Sequence, residues 1–231
     1  GHAIATRMAA EGARVAGTGR DPDAGRVLEA ELQAVGDGLF VAQDVTDEAS
    51  WEATVKSVQD RYGSVDILVN NAGHFLFKPL LDTTADEFDA LYRINVESAF
   101  LGMKHVMRTM TGRGGSIINI SSVFGIRGTT GATAHCATKG AITQMSMAAA
   151  LDGAAEKIRV NVIHPGVTAT DAVAKLMDNE AFRNDLAKAI PLGRPADPGE
   201  IANAAVYLAS DEARLVTGSE MTLDGGRAAR G

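Results

Sequence analysis

The sequence predicts a doubly wound α/β fold, a parallel sheet with helices on both faces, with residues 1–231 forming one domain. Three observations carry that expectation. Strand-like and helix-like segments alternate along the whole chain, the pattern of repeated βαβ units. The stretch Val65 to Val69 is apolar apart from Asp66 and not strictly alternating, as a strand covered on both faces should be. Nothing reads as a linker, repeat or low-complexity tract, and a chain of 231 residues buries most of its apolar surface as one unit.

The elements follow in order. His2 to Glu11 carries Ile4 and Met8 four residues apart among alanines and reads as a helix broken by Gly12; Ala13 to Thr18 is a short strand. Asp21-Pro22 opens a second helix expected to place Val27, Leu28, Leu32 and Val35 on its inner side. Leu39 to Ala42 is the next strand, and helical spacing returns with Trp51, Val55, Val58 and Tyr62 before the strand at Val65. Thr84-Ala85-Asp86-Glu87 forms a capping box for a long helix to Met110, stopped by Gly112. Ser116 to Ile120 is a strand, a Gly- and Thr-rich loop spans Ser121 to Thr133, and a helix of small residues and methionines covers Ala134 to Ala155. Arg159 to Ile163 is a strand ended by Pro165-Gly166, a helix lies within Asp171 to Ala189, and another runs from Pro198 to Ala209. Glu220 to Leu223 completes six strands.

Composition excludes several functions. The net charge of −7, with no run of Lys and Arg, argues against a surface that tracks phosphates along a nucleic acid. A single cysteine, Cys136, allows neither an internal disulfide nor a Cys-based zinc site, which fits a reducing compartment, and no apolar stretch approaches the ~20 residues of a bilayer span. The expectation is a soluble cytoplasmic protein with no membrane partner and no metal, since no second histidine stands at ligand spacing from His135.

Short motifs fall at the strand ends, where doubly wound sheets bind ligands. The first strand ends in Thr18-Gly19-Arg20 instead of the acidic residue that accepts from an adenosine ribose; an arginine fork there suits a 2′-phosphate, and a surface Arg is the plain alternative. Asp44-Val45 and Asn70-Asn71-Ala72-Gly73 follow two further strands; taken singly, they read equally as a helix entry and a turn. Asn95 lies mid-helix, where Asn is a mediocre helix former and a solvated face is the plain reading. Ser121-Ser122 precede His135 by little more than a dozen residues, with Lys139 one helical turn beyond.

In order and spacing these pieces, with Asn119-Ile120, Pro165-Gly166-Val167-Thr168-Ala169-Thr170, Gly193-Arg194-Pro195 and Asp224-Gly225-Gly226, resemble the short-chain dehydrogenase/reductase family in its common short form, from Gly1 to Gly226. The resemblance implies a Rossmann-like fold and an oxidoreductase that interconverts a small-molecule carbonyl and an alcohol with a nicotinamide dinucleotide, and Arg20 gives the expectation of NADP(H) in preference to NAD(H). It assigns Ser122 to the reacting oxygen, Lys139 to the nicotinamide ribose, Asn95 to a water in a proton relay, and Thr168 and Thr170 to the carboxamide. Gly1, Thr18, Arg20, Asp44, Val45, Asn71, Ala72, Gly73, Pro165 and Gly166 match other cofactor contacts. It also implies a homotetramer or homodimer joined through the two long helices, to which the small face Ala137, Gly140, Ala141 and Ala148 is suited; packing within the subunit would explain that face equally. Substrate-lining positions are His74, Phe75, Phe124, Ile126 and the Val173–Met177 segment, a mostly apolar set.

Two departures stand against this resemblance. The family opens with a central strand and a Thr-Gly-x-x-x-Gly-x-Gly loop that holds the pyrophosphate, of which Gly1-His2-Ala3-Ile4-Ala5 matches only the last glycine and its sequel. The expectation is a chain truncated before Gly1, because two buried strands left unpaired would cost ~1–3 kcal/mol per orphaned group. The second departure is His135, which stands where the family has the tyrosine general acid/base. Imidazole has a suitable intrinsic pKa of ~6.5 that Lys139 should lower, but it falls about 2 Å short of a phenol oxygen, and ~1 Å of misplacement can cost ~100-fold. The expectation is impaired turnover, with a cofactor-binding regulator or inactive partner subunit as the competing class; Cys136 and His164 are read as packing and strand-end residues.

Overall fold

The computed structural model describes residues 1–170, 173 and 178–230. Among these, six strands form in the expected places: β1 (Val15–Gly19), β2 (Gly38–Ala42), β3 (Ile67–Asn70), β4 (Gly115–Ile120), β5 (Ile158–Pro165) and β6 (Glu220–Leu223). All pairings are parallel, in the orders β1-β2 and β3-β4-β5-β6. The helices are α1 (His2–Ala10), α2 (Pro22–Val35), α3 (Glu48–Tyr62), α4 (Ala85–Tyr92), α5 (Ser98–Met110), α6 (Thr133–Gly153), α7 (Glu180–Ala189) and α8 (Pro198–Ala209). Of the expected helix from Asp171, residues 171, 172 and 174–177 lie outside the described residues.

Strand alternation makes the sheet two-faced. Ile118 of β4 and Ile163 of β5 point into one core with Ile4 and Met8 of α1 and Ile201, Ala205 and Leu208 of α8. The neighbouring Ile117 and Val160 point the other way, onto Val55 of α3, Met103, Val106 and Met110 of α5 and Ala150 of α6. The inner stripe of α2 is narrower than expected. Gly25 and Leu32 are buried and Leu28 is partly buried, whereas Val27 and Val35 are 60% and 57% exposed. Positions 25, 28 and 32 repeat at i, i+3 and i+7, so Val27 falls outside the stripe that meets the short β1-β2 piece, whereas Val35 is in phase with it but is the last residue of the helix, before the Gly36 cap.

Between β1 and β3 the two pieces of sheet do not pair. A trough of ≈ 800 Å³ separates them, lined by both strands and by Gly1, His2 and Ile4. The facing strands are partly wetted rather than buried, unlike β4 and β5, whose Ile117, Ile118 and Val160 are fully enclosed. Both amide atoms of Gln43 and the hydroxyl of Thr54, on residues lining the trough, are buried without a partner.

Candidate active site

The capping box forms as its spacing requires: the Glu87 amide donates to Thr84 Oγ1 (3.2 Å) and the Thr84 amide to Glu87 Oε2 (2.9 Å). The helix that it starts is not regular, because one π-helical turn, Arg93–Glu97, separates α4 from α5. Such turns recur at functional sites, and this one carries Asn95. The residue is fully buried, not on a solvated face. Its Nδ2 donates to the His74 carbonyl (3.0 Å) and to Thr138 Oγ1 (3.0 Å), while Oδ1 accepts from the His74 amide (2.7 Å). Both donors are thus committed, leaving one Oδ1 lone pair for a further donor. Gly73 lies against this group: a Cβ there would be 3.1 Å from Asn95 Oδ1 and 3.4 Å from Lys139 Nζ, so a side chain would crowd both.

Ser122 follows β4, and its Oγ accepts from the Phe124 amide (3.1 Å), which leaves its own proton to donate. His135 and Lys139 stand one turn apart at the start of α6, both buried. Lys139 Nζ donates to the Ile120 carbonyl (2.9 Å), and burial lowers its pKa from 10.5 to about 8. The His135 ring lies 4.4 Å from the Phe75 ring and 6.5 Å from that of Phe124, both edge-on. Burial first, and the Lys139 ammonium second, push its pKa from 6.5 down to about 4, against a smaller opposing effect of the His74 backbone. The imidazole is therefore neutral at pH 7, and its Nδ1 is buried with no partner.

Two contacts were not legible as functional positions. Thr138 bridges Asn95 to the His135 carbonyl, to which its hydroxyl donates (2.9 Å); its three-residue spacing from His135 was the available signal. His164, fully buried, touches the Ser122 carbonyl through Nδ1 and Glu220 Oε2 through Nε2, both at 2.9 Å, and so ties the Ser122 loop to β5 and β6.

The nucleotide-side positions collect along the sheet's carboxyl ends. Gly1, Thr18, Arg20, Val45, Asn71 and Ala72 line one trough, with Gly1 N donating to Asn71 Oδ1 (3.1 Å). Asp44 is not the helix entry, since Asp47 caps α3. Asp44 Oδ1 accepts from the Thr46 amide (2.9 Å) and hydroxyl (2.8 Å), and these bonds, then Arg20 and Arg93, hold its carboxyl below the ordinary range. Arg20 is exposed, with no ion pair among the described residues. At the other end, the Gly166 amide donates to the Leu223 carbonyl (2.8 Å), and the Val167–Ala169 segment pairs with Ala196, which sets the backbone of Thr168 and Thr170. A fixed carboxylate, an unpaired guanidinium and a buried ammonium along one edge fit a nicotinamide dinucleotide. Of the expected substrate-lining positions, Phe75 and Phe124 flank His135, His74 is tied to Asn95, and Ile126 is 39% exposed. Residues 174–177 lie outside the described residues.

Comparison with known proteins identifies the family. Residues 1–228 match the family described as Enoyl-(Acyl carrier protein) reductase. The chain is 40% identical over 223 residues to cyclopentanol dehydrogenase of Comamonas sp. strain NCIMB 9872, covering 96% of this chain and 89% of that protein. It is 38% identical over 234 residues to the NADP-dependent (R)-specific alcohol dehydrogenase of Lentilactobacillus kefiri, covering 100% and 92%. A gluconate 5-dehydrogenase of Burkholderia cenocepacia, solved with NADP and tartrate, superposes with a TM-score of 0.92 at 31% identity over 99% of this chain and 91% of that one. The chain belongs to the short-chain dehydrogenase/reductase family, the NAD(P)-linked oxidoreductases that act on CH–OH groups.

Proposed function

We propose that this protein is an NADP(H)-preferring oxidoreductase that interconverts a ketone or aldehyde with an alcohol, at a rate limited by His135. The observation that carries the reading is the convergence of Ser122, His135 and Lys139 beside two aromatic rings, with the imidazole neutral at pH 7. The bound nicotinamide supplies or accepts the hydride. Ser122 donates its free proton to the reacting oxygen and holds it in place. Lys139 binds the nicotinamide ribose and keeps positive charge near the developing alkoxide. Thr168, by its backbone, and Thr170 hold the carboxamide. His135 stands where a proton must move. Arg20, unpaired at the end of β1, supports selection of the 2′-phosphate, as does the NADP dependence named for the Lentilactobacillus relative.

The competing reading is a cofactor-binding protein without turnover. It is favoured by the burial of His135, which keeps the imidazole neutral at pH 7 and leaves few molecules with a second ring proton to give. Turnover of a panel of ketones and alcohols, measured beside an NADPH-binding titration on the intact protein, separates the two. Binding with turnover supports the enzyme, and tight binding with none refutes it.

Two further features belong to this reading. Ala137 and Ala148 of α6 are exposed, and Phe100 of α5 and Leu151 of α6 are 49% and 80% exposed, which supports association of two copies through the long helices. Sedimentation as a monomer at micromolar concentration would remove that assignment. The two facing unpaired strand edges and the orphaned Gln43 amide support a further strand, lying between β1 and β3, that completes the sheet.

A further inference from the structure

Arg227 has no carboxylate partner among the described residues. It lies just past β6, whose Leu223 pairs with Pro165 of β5, so it stands at the same carboxyl edge of the sheet as the catalytic loops. The turn that presents it is tightly held. Asp224 is buried and accepts from the Gly226 amide (2.9 Å) and the Ala228 amide (2.5 Å), while Gly225 and Gly226 take positive φ values of 65° and 89° that other residues rarely adopt. The guanidinium carbon lies 5.0 Å from the centre of the Phe124 ring. The amide of Phe124 is bonded to Ser122 Oγ, and its ring lies 6.5 Å from that of His135. The two spans of 5.0 and 6.5 Å together bound the guanidinium at 11.5 Å from the His135 ring. The side chain is partly buried, and among the described residues no carboxylate pairs with it.

A partly desolvated guanidinium stacked on an aromatic face is held in place but not neutralised, and a planar carboxylate satisfies its forked donors two at a time. A phosphate dianion would leave a charge unmatched by this single arginine. We propose that the alcohol or ketone taken by this site is a hydroxy or keto acid, with an apolar body against Phe75 and Phe124 and a carboxylate received by Arg227. The inference rests on the oxidoreductase reading for the reaction, but its binding step is testable without turnover.

The test is calorimetric titration of 4-oxopentanoate and of its methyl ester into the NADP⁺-bound intact protein, with initial reduction rates measured for both in the presence of NADPH. The acid should bind about 10- to 100-fold more tightly than the ester, the span of one charge-assisted contact. Arg227→Met keeps an apolar contact with Phe124 and should bring the ratio close to one, and Arg227→Lys should retain part of it. Should Arg227→Met fail to fold, the wild-type preference must still shrink as ionic strength rises. Equal binding of acid and ester, binding of neither, or a preference that survives in Arg227→Met overturns the proposal. Acid preference without turnover supports Arg227 and counts against the oxidoreductase reading. Turnover of both compounds without preference does the reverse.

Discussion

Replacing His135 by tyrosine is the perturbation with the largest expected consequence. With its pKa near 4, the imidazole is protonated at pH 7 in roughly one molecule per thousand, three pH units being a factor of ~10³. Reduction of a carbonyl needs a proton at the new alkoxide, so the wild-type protein holds that proton on His135 in few molecules at any moment. A phenol is protonated in nearly all of them at pH 7, reaches further, and has the Lys139 ammonium beside it. His135→Tyr should therefore raise turnover by ~10²–10⁴-fold at pH 7, the usual worth of general acid catalysis, with NADPH affinity little changed. The wild-type reduction rate should climb about tenfold for each pH unit from 7 towards 5, as the imidazolium population grows. Initial rates of NADPH oxidation across this range, on both proteins, measure both effects. A flat wild-type profile, or a loss of activity in a folded His135→Tyr protein, would refute the reasoning and make His135 a working catalytic base. Stability carries the same signature. The folded pKa lies below the unfolded one, so the unfolded chain binds more protons as pH falls from 6.5 to about 4. Wild-type stability should fall across that window by up to ~3 kcal/mol, at ~1.4 kcal/mol per unit, and the tyrosine variant should lack this term.

Lys139→Met removes a buried charge whose pKa is held down at about 8. The cofactor-free protein should become about 1–2 kcal/mol more stable in urea at pH 7 while losing turnover, and no gain in stability would show that burial costs the ammonium little. Arg20→Ala should weaken NADPH binding by roughly 10- to 150-fold and leave NADH nearly unchanged, because only NADPH offers a 2′-phosphate; equal losses in paired titrations would make Arg20 a surface residue.

The sequence by itself located the six strands, the capping box at Thr84, the Pro198–Ala209 helix, and the family to which Ser122 and Lys139 point, because each of these is written in near neighbours: apolar runs, cap residues and fixed spacings along one helix. Tertiary structure decided the rest. Asn95 looked like a mediocre residue on a helix surface and is instead fully buried in a π-helical turn, because its partners, His74 and Thr138, are distant in sequence. Val27 is exposed because it lies off the stripe of Gly25, Leu28 and Leu32, and Val35 is exposed at the last position of α2, just before the Gly36 cap. The neutral state of His135 follows from desolvation more than from the lysine beside it, and desolvation depends on everything packed around the ring, including Phe75 and Phe124. The contact of Arg227 with Phe124 joins residues over a hundred positions apart, brought to one edge by the parallel register of β4, β5 and β6. Local preference acts through a few neighbouring residues, whereas burial, charge pairing and reach are properties of the space into which the chain closes.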